Sequence, residues 1–258
     1  MSLATPEDIL EKDPHLKVEI DPDGTSPFPS RAIWKGQHTC VFEGFSLDDK
    51  VPDERKAGEA VVRHLLKGNK GHYSPLRWAH ITLHIGGFDH NTIMQFVRHQ
   101  DSAHLVQSMR YTGKRIAETM RLWMESEDMT ILQSIHYTRP TGFTYTDRYG
   151  QKVDYSEQMQ ECDLNLAARA YIGYMQATDL GYPFEMARGL LPTGFRQNYT
   201  IAADLQALLH MLDQRTKADA QLEARALAES ILRQLDEWIP EIAQWYRENR
   251  YGKAILAP

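Results

Sequence analysis

The feature that most constrains the fold is the alternation in Ala79-His80-Ile81-Thr82-Leu83-His84-Ile85. Ile81, Leu83 and Ile85 fall on one side of an extended chain and His80, Thr82 and His84 on the other, the period-two pattern of a half-buried strand. Such a strand must join a sheet and have its apolar face covered, and the remaining sequence offers helices as the cover. Gly86-Gly87 is expected to end the strand. Asp89 can then cap a helix through Ile93, Met94, Phe96 and Val97, which delivers Gln95, Arg98 and His99.

Helical spacing predicts further helices along the chain. One covers 53–68, with Ala60, Val61, Leu65 and Leu66 as its apolar stripe and Gly68-Asn69-Lys70-Gly71 as its stop. Another covers 156–178 through Leu164, Ala167, Ala168, Tyr171 and Tyr174. A short one starts at Pro183, runs through Met186, Ala187 and Leu190 and ends at Pro192. Two long helices are expected over 200–215 and 218–236, then a break at Ile239-Pro240 and a last helix around Ile242, Trp245 and Tyr246. Tyr137 to Tyr155, rich in Thr, Tyr, Gly and Pro, reads as a long loop or hairpin. Residues 1–30 are polar and proline-containing and read as a peripheral N-terminal arm. Residues 31–258 read as a single α/β domain.

The chain has 258 residues, 42% of them hydrophobic and 25% charged, an ordinary balance for a globular protein with a real core. Its net charge of -6 argues against a protein that coats DNA or RNA, which needs a broad basic face. It leaves room for a nucleotide, because a few arginines can hold one phosphate. Cys40 and Cys162 form no C-x-x-C pair and no disulfide framework, so a reducing cytosol is expected. The first residues have no basic, apolar leader, and no window reaches a membrane-spanning length; neither a signal peptide nor a membrane is expected.

The chemistry concentrates in Arg98-His99-Gln100-Asp101-Ser102-Ala103-His104-Leu105-Val106-Gln107-Ser108-Met109-Arg110-Tyr111-Thr112-Gly113. Guanidinium groups suit phosphate oxygens or a pyrimidine carbonyl. Gln95, Gln100 and Gln107 both donate and accept, as the edge of a uracil or flavin ring requires. The plainer reading is a solvated helix end with ordinary salt bridges. His72 and His99 could stack on a flat ring or be structural. His80 and His84 lack the acidic or thiolate partners of a metal site, so no metal is expected. Arg188 and Arg215 border apolar helices, where a charge needs either an internal partner such as Glu185 or Asp219, or an anionic ligand. No G-x-G-x-x-G or P-loop occurs.

These residues together resemble a known family. Arg98-His99-Gln100, seven residues and Ser108 resemble the R-H-R-x7-S motif of flavin-dependent thymidylate synthases, and Gln107 to Gly113 look like the form of a cyanobacterial-type branch. Gly71-His72-Tyr73-Ser74-Pro75 resembles the family's G-H-x-[ST]-P element. Arg188 with Leu190-Leu191-Pro192 resembles its A-R-x-x-L-P element. Leu212-Asp213-Gln214-Arg215 with Ala220-Gln221-Leu222-Glu223 resembles its L-R-x-x-x-x-A-Q-x-E region. The likeness runs from about residue 35 onward.

The resemblance implies an α/β fold with a central, mostly antiparallel sheet flanked by long helices. It also implies a cytoplasmic homotetramer with active sites at subunit interfaces. FAD would be the cofactor, NADPH the reductant and methylenetetrahydrofolate the carbon donor, with dUMP methylated to dTMP. No cysteine nucleophile is used, which agrees with the settings of Cys40 and Cys162. Carried over by position, Gln95, Arg98, Gln107, Ser108, Arg110, Arg188 and Arg215 would bind dUMP, with Arg215 and Ser108 catalytic. His72, Ser74, Arg98, His99, Gln100, Asp204, Gln206, His210 and Asp219 would line the FAD site. The chain departs from the pattern at Gln100, where a second arginine is usual, at Leu105-Val106 in place of Asn-Glu, and at Asp219 in place of histidine. Two alternatives stay open: a related methylase acting on UMP or another pyrimidine nucleotide, and an inactive flavin- or nucleotide-binding homologue.

Overall fold

A computed structural model describes residues 1–68, 71–147 and 149–253. Its elements run β1 (Ser2–Leu3), α1 (Pro6–Lys12), β2 (Lys17–Ile20), α2 (Pro29–Thr39), α3 (Glu54–Val61), β3 (His80–Asp89), α4 (His90–Phe96) and β4 (Ala103–Val106). There follow α5 (Met109–Thr112), α6 (Lys114–Ser126), α7 (Met129–Ile135), β5 (Phe143–Thr146), β6 (Lys152–Tyr155) and α8 (Glu157–Asp179). The chain ends with α9 (Phe184–Ala187), β7 (Arg196–Asp204), α10 (Leu205–Arg215), α11 (Leu222–Trp238) and α12 (Pro240–Asn249). A four-stranded sheet has the order β2-β3-β7-β4 and a three-stranded one the order β1-β5-β6. The fold is mixed α/β, as expected.

The chain forms two compact units. The first comprises Met1–Lys17, Ile85–Gln95 and Leu105–Tyr199; the second comprises Val18–His84, Phe96–His104 and the chain from Thr200 onward. In the first unit, α8 supplies the spine: Leu164, Ala168, Tyr171 and Tyr174 pack with Ile116 and Met120 of α6 and Leu132 and Ile135 of α7 in one buried cluster. The Tyr171 hydroxyl donates to the Ile135 carbonyl (3.3 Å) and accepts from His136 Nδ1 (2.9 Å), which satisfies the polar end of a buried ring. In the second unit, Leu208, Met211 and Leu212 of α10, Leu227, Ile231 and Leu235 of α11, Tyr246 of α12 and Ile33 of α2 are all buried.

The alternation that opened the sequence holds: Ile81, Leu83 and Ile85 are buried, and His80 and His84 are exposed. Asp89 caps α4, accepting from Thr92 N at 3.1 Å. The Tyr137–Tyr155 segment contains the β5-β6 hairpin, paired antiparallel from Phe143 with Tyr155 to Thr146 with Lys152. The helix expected over 53–68 is α3, capped by Asp53 and continued by a wider turn through Leu66. Of its expected stop, Asn69 and Lys70 lie outside the described residues.

The structure corrects several expectations. Gly86-Gly87 does not end β3; the strand continues to Asp89 because Gly87 takes a φ of +81° and the His15 carbonyl packs where a Cβ would stand. The helix expected over 200–215 begins only at Leu205, since 196–204 is β7. Tyr199, Ile201 and Ala203 are buried while Asn198, Thr200 and Ala202 are more open, a period of two that the small Ala-Ala pair hides in the sequence. The Arg98–Gly113 run is not a helix end but a turn, strand β4 and the capped short helix α5. Residues 1–30, expected as a peripheral arm, contribute β1, α1 and β2; β1 pairs in parallel with β5, and Ile9 is fully buried.

Gly87→Ala should lower stability by about 2 kcal/mol or more, because strain at positive φ and backbone overlap add. Gly142→Ala, also at positive φ but with open space around it, should cost about 1 kcal/mol. Urea unfolding of both variants would show the order, and equal losses would contradict it.

Candidate active site

In the second unit, α10 ends in Arg215, and the turn after α4 carries Arg98 and His99. The His99 N–H closes that turn on the Phe96 carbonyl at 3.1 Å. Arg215 Nε donates to His99 Nε2 at 3.1 Å, and its guanidinium lies 5.8 Å from the centre of the Phe96 ring. The His99 and His210 rings stand nearly perpendicular, 6.3 Å apart. Burial is the main cause that pushes His99 down to about 4, with Arg215, His210 and His104 adding to it and Asp101 opposing. The imidazole is therefore neutral near pH 7, and a neutral ring that accepts at Nε2 carries its proton on Nδ1. Burial and the nearby Arg98 both disfavour the charged form of Arg215. The exposed Arg98 thus adds like charge to the half-buried Arg215, a setting that a negatively charged ligand relieves.

The start of α10 adds to this cluster. Asp204 caps it, accepting from Ala207 N at 2.8 Å and from Arg77 Nε at 3.1 Å. Gln206 and His210, one turn apart on α10, line a small cavity with Tyr73, Leu76 and Trp245. His72 and Ser74 are exposed on the segment beside Tyr73, and Gln100 is exposed in the turn after His99. Asp219 is exposed and lies 3.9 Å from Lys217, so it is not the internal partner of an arginine.

The first unit carries Gln95, Gln107, Ser108, Arg110 and Arg188. Ser108 caps α5: its Oγ accepts the Arg110 N–H at 3.3 Å, which leaves its own proton to donate. Arg110 is exposed and pairs with Glu185 of α9 at 3.0 Å. Arg188, also exposed, follows Glu185 by three residues in the turn Arg188–Leu190. The sequence offered Glu185 or Asp219 as an internal partner for Arg188 or Arg215; Glu185 instead pairs with Arg110, and Arg188 is exposed rather than enclosed by its apolar helix. The Arg110–Glu185 pair is exposed on both sides, and an exposed ion pair of this kind holds only weakly.

Gln107 is fixed more firmly. Its N–H donates to the Asn198 carbonyl (2.8 Å), its own carbonyl accepts from Gln197 Nε2 (2.9 Å), and its Oε1 accepts from Asn198 N and Arg115 Nη2 (3.3 Å each). Its amide oxygen is thus used inside the protein, and the residue anchors the start of the Ser108–Arg110 turn. Arg115, Arg196, Gln197 and Asn198 were not singled out in the sequence. Arg196, Gln197 and Asn198 lie at the start of β7, whose period the Ala-Ala pair obscures, and Arg115 lies on α6, where no sequence signal marked it.

A family model described as "Thymidylate synthase complementing protein" matches residues 25–241. The chain belongs to this family, the flavin-dependent thymidylate synthases. The match covers each separated element described above. A flavin-dependent thymidylate synthase of Halobacterium salinarum is 30% identical over 233 residues, 87% of this chain and 89% of the relative. One of Haloarcula marismortui is 29% identical over 224 residues, covering 84% and 83%. Among solved structures, the Helicobacter pylori flavin-dependent thymidylate synthase ThyX complexed with FAD and dUMP superposes with a TM-score of 0.67 at 16% identity, covering 91% of this chain and 99% of that one. The UMP/dUMP methylase PolB of Streptomyces cacaoi, bound with 5-Br dUMP, gives 0.68 at 18% identity with full coverage of both chains. At such identities the two structures establish the shared fold.

The state of His99 can be checked directly. Its ring resonances should stay those of a neutral imidazole from pH 8 down to about 5.5, where a histidine of ordinary pKa 6.5 is mostly charged. Arg215→Ala should move the His99 midpoint upward. A His99 that titrates near 6.5 in the unaltered protein would contradict the arrangement.

Proposed function

We propose that the protein is a flavin-dependent thymidylate synthase that converts dUMP to dTMP, with residues 31–258 acting as one catalytic domain. In this reading it is a cytoplasmic homotetramer whose active sites lie at subunit interfaces, and methylenetetrahydrofolate and NADPH are its cosubstrates. The observation that carries the reading is the half-buried Arg215, held by a neutral His99 and crowded by Arg98, in a chain of this family. Among the described residues no helix is long and apolar enough to cross a membrane.

The donor set fits FAD. Arg98, His99, Gln100 and the α10 residues Asp204, Gln206 and His210 combine cations, neutral ring nitrogens and amides, the groups that a phosphate-bearing, hydrogen-bonding ring system needs. His72, Ser74 and Asp219 complete the proposed FAD set. When bound, FAD supplies the hydride chemistry that no side chain of this protein offers. The protein's own residues then position and polarise. Gln95, Arg98, Gln107, Ser108, Arg110 and Arg188 bind the nucleotide, and Arg110 and Arg188 take its phosphate, Arg110 exchanging an exposed carboxylate for a dianion. Gln107 acts mainly by holding the turn that presents Ser108.

Arg215 faces the uracil carbonyl in this scheme. Negative charge builds on the ring as C5 becomes nucleophilic, and a preorganised, half-buried cation stabilises that charge more than water does. His99 contributes by staying neutral: its acceptor nitrogen fixes the direction of Arg215 without cancelling its charge.

A second reading keeps the chemistry and changes the nucleotide. Leu105, 73% exposed on β4, and Val106 stand just before Gln107 and Ser108, where the family pattern has Asn-Glu. Loss of a carboxylate there removes a hydrogen-bond acceptor from the nucleotide-binding run and favours a site tolerant of UMP. Turnover of dUMP and UMP side by side separates the two.

Purified protein should be yellow, and should oxidise NADPH faster when dUMP is present. Protein that takes up no FAD would overturn the proposal. Arg215→Ala should lower kcat by about a hundredfold or more, roughly 3 kcal/mol, with the fold retained. Normal turnover by that variant would remove Arg215 from the mechanism. Arg110→Ala should raise the KM for dUMP at least about tenfold, in line with the loss of a charge-assisted phosphate contact.

A further inference from the structure

The first unit holds a cleft of about 300 Å³ that shares only Gln107 with the residues proposed above to bind nucleotide or FAD. Lys17, Arg115, Gln107 and Asn198 supply polar groups to its lining, and Gly86, next to Asn198 and Lys17, leaves room beside them. No acidic residue is among the described residues that line it. Arg196, which also lines it, is already neutralised by Asp13 at 2.7 Å. Lys17 is exposed and forms no ion pair among the described residues. Arg115 directs its Nη2 to the Arg196 carbonyl (2.6 Å) and to Gln107 Oε1 (3.3 Å), both neutral acceptors, and its buried Nε–H has no hydrogen-bond partner among the described residues.

A guanidinium that is largely removed from water and meets only neutral acceptors is costly. So is a buried N–H left unpaired. The natural relief is an oxyanion, which meets a planar guanidinium fork with paired acceptors and draws a lysine from the rim. The volume sits at the low end of small-ligand pockets, roughly 300–1,000 Å³, so it suits a group the size of a dicarboxylate or a phosphate ester rather than a whole dinucleotide.

We propose that this cleft is a second binding site, for a small oxyanion-bearing ligand, held by Arg115 and Lys17 and assisted by the amide of Asn198. The site goes beyond the synthase reading and does not depend on it. It has a built-in route to the nucleotide-binding run, since Arg115 and Asn198 N share Gln107 Oε1, and Gln107 immediately precedes Ser108. A ligand that draws Arg115 toward itself alters the hold on that turn.

The test is calorimetric titration of the full chain with inorganic phosphate and, separately, with glutarate. Three proteins are compared: the unaltered chain, Lys17→Ala, and the double variant Arg110→Ala, Arg188→Ala, which removes the proposed nucleotide phosphate contacts. Saturable binding of at least one anion is expected, weakened tenfold or more by Lys17→Ala and kept within threefold in the double variant. Preference for phosphate identifies a phosphoryl ligand, and preference for glutarate a carboxylate. Absence of saturable binding by either anion overturns the proposal. So does a Lys17→Ala protein that binds less than tenfold more weakly, or binding that disappears in the double variant. A protein that binds no dUMP yet keeps the Lys17-dependent anion site would sink the synthase reading alone.

Discussion

The first unit depends on one buried arginine. Arg196 is 5% exposed, and its guanidinium reaches three separate elements. Nη2 meets Asp13 at the end of α1, Nη1 the Gly87 carbonyl in β3, and Nε the Gln133 carbonyl in α7, each at 2.7 Å. A charge at that depth is tolerable only when it is paired and its donors are satisfied, and removing one partner from such a pair costs about 3–5 kcal/mol. The kink at Gly87 follows from the same requirement, because the positive φ turns a carbonyl toward the guanidinium and admits the chain at His15. The first thirty residues are therefore bound into the fold through Asp13.

From Arg196 the order passes along β7 to the site. Its carbonyl receives Arg115, and the next two residues, Gln197 and Asn198, clasp Gln107 through main chain and side chain. Ser108 and Arg110 then sit in a short capped turn whose start cannot drift. Arg110 and Arg188, proposed to meet a substrate phosphate, are exposed, and the ion pair of Arg110 is a weak one. The groups behind them are hydrogen-bonded to one another, Arg196 and Gln197 from buried positions, so the turn is placed before any ligand arrives and little ordering is left for binding to supply.

The second unit solves a different problem, that of keeping a cation half-buried and still useful. Arg215 Nε donates to a neutral imidazole, kept neutral by the burial and by the cations around it. Like charge from Arg98 adds to the burial in disfavouring the charged form of Arg215. Gln100, where the family usually has another arginine, is exposed, so the substitution removes charge from the rim without disturbing the Arg215–His99 contact.

The sequence by itself determined the mixed α/β class, the strand through Ile81, Leu83 and Ile85, the helices carried by Leu164–Tyr174 and by α11, and the family through its arginine, histidine and proline spacings. Each of these is a local regularity, a period or a motif, written within a short window. Only the tertiary structure decided that β3 passes through Gly87, that 196–204 is a strand, and that Glu185 pairs with Arg110 rather than Arg188. It also decided that Arg196 is buried and that Arg115 and Asn198 share Gln107. Those outcomes rest on partners far apart in the chain, Asp13 with Arg196 and His99 with Arg215. A polar side chain's partner is chosen by which elements pack against it, and neither period nor composition records that choice.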